Sequence, residues 1–83
     1  MTHYDFPCHG TCSVQVSFDL DDEKKLHNVV FIRGCDGNLK AIGRLAEGQD
    51  AAHIASLLKG NLCRDKQTSC ADQLALAIEK ALR

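Results

Sequence analysis

The sequence predicts a small α+β domain in which two to three helices pack on one face of an antiparallel sheet. Two observations carry this prediction. The first half of the chain alternates apolar and polar residues as half-buried strands do, whereas from about residue 39 the apolar residues recur with helical spacing. The expected order of elements is β-β-α-α-α, with an optional third strand at the edge of the sheet.

The two strands are predicted over residues 12–20 and 25–33, where β-branched residues are frequent. The connection between them, DDEK, is a short polar turn, so the strands should pair as an antiparallel hairpin. The numbers of opposed residues should then add up to about 45–47. This register brings Cys12 and Cys35 to the same end of the sheet. The residues expected on the buried face of the first strand are Cys12, Val14, Val16, Phe18 and Leu20.

Residues 1–10 are predicted as an irregular N-terminal arm, and residues 2–6 within it are the candidate edge strand. After the hairpin, the apolar spacing of residues 39–46 indicates a short helix that ends before Gly48. Asp50 is the expected N-cap of a second helix, and Gly60 its C-terminal stop.

The last helix carries the strongest local signals. Residues 61–68 form a polar loop before it, and Ser69 with Asp72 three positions later resembles a capping box. Leu74, Ile78 and Leu82 then follow at intervals of four residues, which predicts one buried helical face.

Composition limits the function. The chain has 83 residues, one expected domain, and a net charge of −1, which argues against a nucleic-acid-binding or anionic-membrane surface. No apolar run approaches the ~20 residues that span a bilayer. The N-terminus lacks the basic and apolar regions of a secretory signal, so we expect a cytoplasmic protein. The sequence leaves open whether it is a monomer or a homodimer.

Five cysteines are many for a cytoplasmic chain of this length, and four of them fall at the ends of predicted elements. Clustered thiols in a reducing compartment favour metal binding or catalysis over disulfides. A tetrahedral site of four thiolates suits zinc, our first choice, or an iron–sulfur cluster. Each cysteine taken alone could instead be a small buried apolar residue. The four candidate metal ligands are Cys12, Cys35, Cys63 and Cys70.

Cys8 lies outside this set, in the loop PCHG, and is interpreted as a bystander, with a redox thiol or an extra ligand as alternatives. None of the histidines is expected to be a metal ligand. We find no catalytic triad or phosphate-binding glycine loop, so the sequence does not predict an enzyme by itself.

Four segments carry a family resemblance: GTCS, GCDGNLKAI, LKGNLC and TSCADQLALAI. They resemble the small bacterial proteins of the TSCPD-domain group, which share four cysteines, over residues 10–82. Ala71 stands where the motif has proline. The resemblance assigns the shared cysteines to Cys12, Cys35, Cys63 and Cys70, and leaves Cys8 outside the pattern.

The group is similar to a C-terminal domain of adenosylcobalamin-dependent ribonucleotide reductases, which implies a role accessory to ribonucleotide reduction, with such a reductase as a candidate partner. More distantly, the order of elements resembles the U-type iron–sulfur cluster scaffolds. Cys12, Cys35 and Cys70 match their three cysteines, whereas Ser13 and Ser69 replace an aspartate and a histidine, and Cys63 is additional.

The sequence thus predicts a metal-binding protein that uses four thiolates. The alternative from another class is a thiol redox or sulfur-handling protein that uses Cys63 and Cys70. A third alternative is a metal-free interaction domain.

Overall fold

The computed structural model describes residues 1–10, 13–33, 36–60 and 69–83. It shows three antiparallel strands followed by three helices, which confirms the α+β class and the third edge strand. The strands are β1 (Thr2–Pro7), β2 (Gln15–Leu20) and β3 (Leu26–Ile32). The helices are α1 (Asp36–Ala46), α2 (Ala51–Leu58) and α3 (Cys70–Leu82).

The description of residues 1–10 as an irregular arm is wrong for Thr2–Pro7, which form β1. This strand pairs with β2 along its whole length, from Thr2 opposite Leu20 to Pro7 opposite Gln15. The rings of Tyr4 and Phe6 each stack on Phe18, with centroid distances of 5.7 and 6.1 Å. Aromatic contacts across the strands therefore stabilise β1, although the segment is short and mostly exposed.

The hairpin register is confirmed. Gln15 lies opposite Ile32, and Leu20 lies opposite Leu26, so the residue numbers add up to 47 at one end and 46 at the other. The shift by one residue occurs where Asn28 adopts a positive φ of 55°, a conformation that asparagine tolerates. Cys12, whose position opposite residues 33–35 was predicted, lies outside the described residues.

The strand alternation holds for Val16, Phe18 and Leu20, which are buried, but it is wrong before Gln15. Val14 is 49% exposed and Ser13 only 2% exposed. The backbone N–H of Val14 donates to the carbonyl of Ile32, the same residue that lies opposite Gln15. Val14 and Gln15 thus both face one residue of β3, as in a β-bulge, which accounts for the buried Ser13 and the exposed Val14.

The helix boundaries follow their local signals. The Asp50 carboxylate accepts the N–H of His53 at the start of α2, and the Ser69 hydroxyl accepts the N–H of Asp72 at the start of α3, both at 3.0 Å. Gly48 and Gly60, which follow α1 and α2, have positive φ values of 73° and 82°. The predicted polar loop at 61–68 lies outside the described residues.

The helices cover one face of the sheet. α1 packs against β3 so closely that a Cβ atom on Gly43 would lie 2.8 Å from the carbonyl oxygen of Val29. Within the described ranges, no helix is both long and apolar enough to cross a bilayer. The core between sheet and helices contains Val16, Phe18, Leu20, Leu26, Val29, Ala46, Ala51, Ala55, Leu74, Ala75, Ala77 and Ile78.

Candidate metal centre

Of the four predicted ligands, the structure describes Cys70. Cys12, Cys35 and Cys63 lie outside the described residues, so the convergence of the four thiols stays a prediction. Among the residues that are described, no three histidine, cysteine or carboxylate side chains form a group that could hold a metal ion.

Cys70 is the first residue of α3 and is partly buried. Its helix start is firmly held: the Ser69 hydroxyl caps it, and the carboxylate of Asp72 accepts the backbone N–H of Gly60 at 2.7 Å. The second bond ties the beginning of α3 to the end of α2. Since the helix dipole is positive at this terminus, the position favours a thiolate, which is the form of cysteine that binds metals.

Ser13 joins Cys70 to the open end of the hairpin. Its hydroxyl oxygen lies 3.0 Å from the sulfur of Cys70 and donates to the carbonyl of Arg33, also at 3.0 Å. The sequence pattern placed Ser13 on the polar face of the first predicted strand, residues 12–20, and its burial beside Cys70 corrects that interpretation. The only signal in the sequence was its place in GTCS, directly after Cys12.

Cys8 lies near the same helix start but deeper. It is a free cysteine in the core cluster, and its N–H donates to the carbonyl of Val14. The next residue, His9, donates its N–H to the side-chain carbonyl of Gln73, on the first turn of α3. Burial, together with the nearby Cys70 thiolate, raises the pKa of Cys8 to about 11. At neutral pH Cys8 is therefore a neutral thiol, which favours its interpretation as a bystander.

Two histidines are held by carboxylates elsewhere on the sheet. The ring nitrogens of His27 lie 2.6 Å from Glu47 and 2.8 Å from Asp21. An imidazole can donate from both nitrogens only when it is protonated. The hydrogen bonds to Asp21 and then to Glu47 accordingly raise the pKa of His27.

His3 has the same arrangement on the uncovered face of the sheet. Its ring nitrogens lie 2.6 Å from Asp19 and 2.9 Å from Asp5, and these hydrogen bonds raise its pKa. Both nitrogens of His3 and of His27 are thus engaged by carboxylates, which leaves neither ring a free lone pair to offer a metal.

At the start of α3 the described groups comprise a sulfur, a hydroxyl that can donate to it and a helix N-terminus. This set suits a thiolate that binds a soft or borderline metal or acts as a nucleophile. No curated protein and no solved structure shows significant similarity to the chain. A family model for the TSCPD domain matches residues 1–82, nearly the whole sequence. The chain therefore belongs to the TSCPD-domain family.

Proposed function

We propose that this protein is a small metal-binding module in which Cys12, Cys35, Cys63 and Cys70 hold one zinc ion, with an iron–sulfur cluster as the second choice. Four thiolates would close the coordination sphere, and closed zinc sites are structural. The metal would then contribute folding free energy to a domain whose core is small.

The contact of the Ser13 hydroxyl with the sulfur of Cys70 is the observation that supports this proposal. It links Cys70 to the segment that follows Cys12 and to Arg33, two residues before Cys35. Ser13 directly follows Cys12 in the sequence, and Arg33 precedes Cys35 by two residues. This proximity in sequence supports the proposal that Cys12 and Cys35 bind the same metal as Cys70. Cys63 enters the proposal through the family resemblance.

The wider role that we propose is accessory to ribonucleotide reduction, with a ribonucleotide reductase as the protein partner in the cytoplasm. Membership of the TSCPD-domain family is consistent with a small domain related to these enzymes. A zinc site could stabilise a docking surface, and an iron–sulfur cluster could in addition deliver electrons. Co-purification with a purified reductase, compared between metal-loaded and chelator-treated protein, tests the partnership.

The metal itself is tested by anaerobic purification followed by elemental analysis and a visible spectrum. We expect about one zinc per chain and a colourless protein, or iron with sulfide and a brown colour if a cluster is bound. Cys70→Ser should lower the metal content, and Cys8→Ser serves as the control that retains it. Absence of stoichiometric metal, together with a melting temperature that a chelator does not change, contradicts the proposal.

The partial exposure of Cys70 favours a second candidate, in which Cys63 and Cys70 act as a dithiol. Their oxidation to a disulfide would release two electrons and two protons to a disulfide of the reductase, which would become two thiols. Rapid alkylation of Cys70 in the protein as purified would favour this candidate, whereas metal-protected cysteines would favour the first.

A further inference from the structure

The two edges of the sheet differ in how they are covered. At the start of β3, the backbone of Leu26 exchanges hydrogen bonds with Gly48 and Gln49, in the connection between α1 and α2. The other edge is β1, and among the described residues no backbone group of another element bonds to its outer side. An uncovered edge strand is a template on which a further strand can pair.

The hydrogen-bond pattern fixes which residues of β1 turn their backbone outward. The N–H of Cys8 donates to the carbonyl of Val14, so the backbone of Cys8 faces β2. Because the direction of the backbone groups alternates along an antiparallel strand, the even-numbered residues of β1 also bond to β2. The residues whose backbone groups point away from the sheet, all with exposed side chains, are His3, Asp5 and Pro7.

Charge and backbone direction together select one register for an antiparallel pair of two β1 strands. A register that sets His3 opposite His3 or Asp5 opposite Asp5 brings like charges together, which is destabilising. Both ring nitrogens of His3 lie within hydrogen-bond distance of carboxylates, which requires a protonated, positively charged ring. The register with His3 of each copy opposite Asp5 of the other pairs opposite charges. Each copy then donates two backbone hydrogen bonds and accepts two, because both residues point their backbone groups outward.

The side chains on the helix-covered face suit the same register. It sets Tyr4 opposite Tyr4 of the second copy, at a position without backbone hydrogen bonds, where opposed side chains approach most closely. The ring of Tyr4 already stacks on Phe6 and Phe18, so the pairing joins two aromatic clusters. α3 leaves room beside the strand, since a groove between β1 and α3 is lined by Phe6 and by Leu76, which is 37% exposed.

We propose that two copies of this protein associate through β1 as a symmetric dimer, with His3 of each copy opposite Asp5 of the other. The two three-stranded sheets then form one continuous sheet, with the twofold axis between the two Tyr4 residues. None of the four proposed metal ligands lies in β1, so the dimer is independent of the metal-binding function.

Sedimentation equilibrium of the anaerobically purified protein tests the proposal, with an expected mass that rises with concentration to twice that of one chain. His3→Pro removes an outward N–H that β2 does not use, and with it one hydrogen bond per copy. It should weaken the dimer by at least about 10-fold. Val30→Lys is the control, because Val30 lies 53% exposed on the uncovered face of β3 and should not affect the dimer. A dimer that Val30→Lys abolishes and His3→Pro leaves intact overturns the proposal, since the contact would then lie on the sheet face.

A pair of charge variants separates pairing between copies from effects within one chain. His3→Glu and Asp5→Lys each set like charges opposite one another, so each variant alone should be mainly monomeric. An equimolar mixture of the two should form a mixed dimer, because every opposed pair then carries opposite charges. Failure of the mixture to associate, with both variants folded by circular dichroism, overturns the proposal.

NMR of the unmodified protein decides the question if these variants fail to fold. The amide protons of His3 and Asp5 should exchange slowly only at concentrations where the dimer forms. In a mixture of labelled and unlabelled protein, the Hα atoms of Tyr4 in the two copies should show a nuclear Overhauser effect. A protein that is monomeric at millimolar concentration, or a dimer in which the His3 and Asp5 amides exchange rapidly, overturns the proposal.

Discussion

The two ends of the sheet differ in the chemistry of their polar groups. At the hairpin-turn end, which we call the histidine end, His27 lies between Asp21 and Glu47. At the opposite end, which we call the thiol end, the described polar groups include the Cys70 sulfur, the Ser13 hydroxyl, the Arg33 carbonyl and the Asp72 carboxylate. The first end pairs an imidazole with two carboxylates, whereas at the second a partly buried sulfur lies beside a buried hydroxyl.

This difference supports the thiol end as the end proposed to bind a metal. At the histidine end, the carboxylates and the imidazole satisfy one another, and together they tie the hairpin turn to the residue after α1. At the thiol end, the ligand is a sulfur that a helix N-terminus and a hydroxyl can stabilise as an anion. The hard ligands of the histidine end are engaged with one another, whereas Cys70 at the thiol end is a soft ligand of the kind that suits zinc or iron–sulfur clusters.

The largest expected effect comes from a matched pair of core leucines, Leu26 at the histidine end and Leu74 at the thiol end. Both are fully buried, at 0% exposure. Truncation of either to alanine should lower the free energy of unfolding by about 2–5 kcal/mol, measured by urea denaturation. Leu74 lies one turn after Cys70, so Leu74→Ala should weaken zinc binding more than Leu26→Ala does. Equal zinc affinities in two equally destabilised variants would remove the distinction between the ends.

Gly43→Ala should have the next largest effect. Alanine ordinarily stabilises a helix relative to glycine, but here its Cβ would lie 2.8 Å from the carbonyl oxygen of Val29. The helix must move away from β3, at an expected cost of about 1–3 kcal/mol. Because Glu47 follows on the next turn, the NMR signals of His27 should shift while zinc affinity at Cys70 is unchanged. A stability increase would show that α1 can move without cost.

The helix caps offer a second matched pair. Ser69→Ala and Asp50→Ala each remove a side-chain acceptor from a helix N-terminus, and each should cost about 1 kcal/mol in thermal or chemical unfolding. Ser69 precedes Cys70, so only its substitution should also lower the affinity for zinc. A loss of zinc affinity in Asp50→Ala of the same size would mean that the metal responds to global stability alone.

The smallest expected effect is the pH dependence that the histidine end gives to the stability of the protein. The raised pKa of His27 gives a stabilisation that is complete below about pH 6.5 and is lost as the pH rises through the raised value. The pKa of Asp21 is lowered to about 2, mainly by the hydrogen bond from His27, so its stabilisation is lost as the pH falls from about 4 toward that value.

His27→Gln should therefore lower the melting temperature most between about pH 4 and 6.5, and less above that range. His53→Gln, at an exposed position on α2, is the control and should show no such profile. A decrease for His27→Gln that is the same at every pH would mean that the ring contributes by packing and not by charge.

Local patterns predicted much of this fold. The Asp50 and Ser69 caps depend on a few neighbouring residues, and the hairpin register depends on one short turn, so both could be predicted. The strand β1 was only an alternative because its stability comes from ring contacts of Tyr4 and Phe6 with Phe18, distant in sequence.

The candidate site was predicted less completely. The helix-start position of Cys70 was confirmed, since it follows from the serine cap. The burial of Ser13 was not predicted, because it results from a backbone bond of Val14 to Ile32 that strict alternation does not reveal. The carboxylate partners of His27 were also missed, because Glu47 meets the ring only after α1 packs on β3. The convergence of Cys12, Cys35 and Cys63 on Cys70 stays a prediction.

X-ray absorption spectroscopy at the edge of the bound metal tests the central claim most directly. For anaerobically purified protein we predict a first shell of about four sulfur atoms, at about 2.3 Å if the metal is zinc. Cys70→Ser should reduce that shell by one sulfur, and Cys8→Ser should leave it intact. A shell dominated by nitrogen or oxygen at about 2.0 Å, or a sulfur count that Cys70→Ser does not change, would contradict the account.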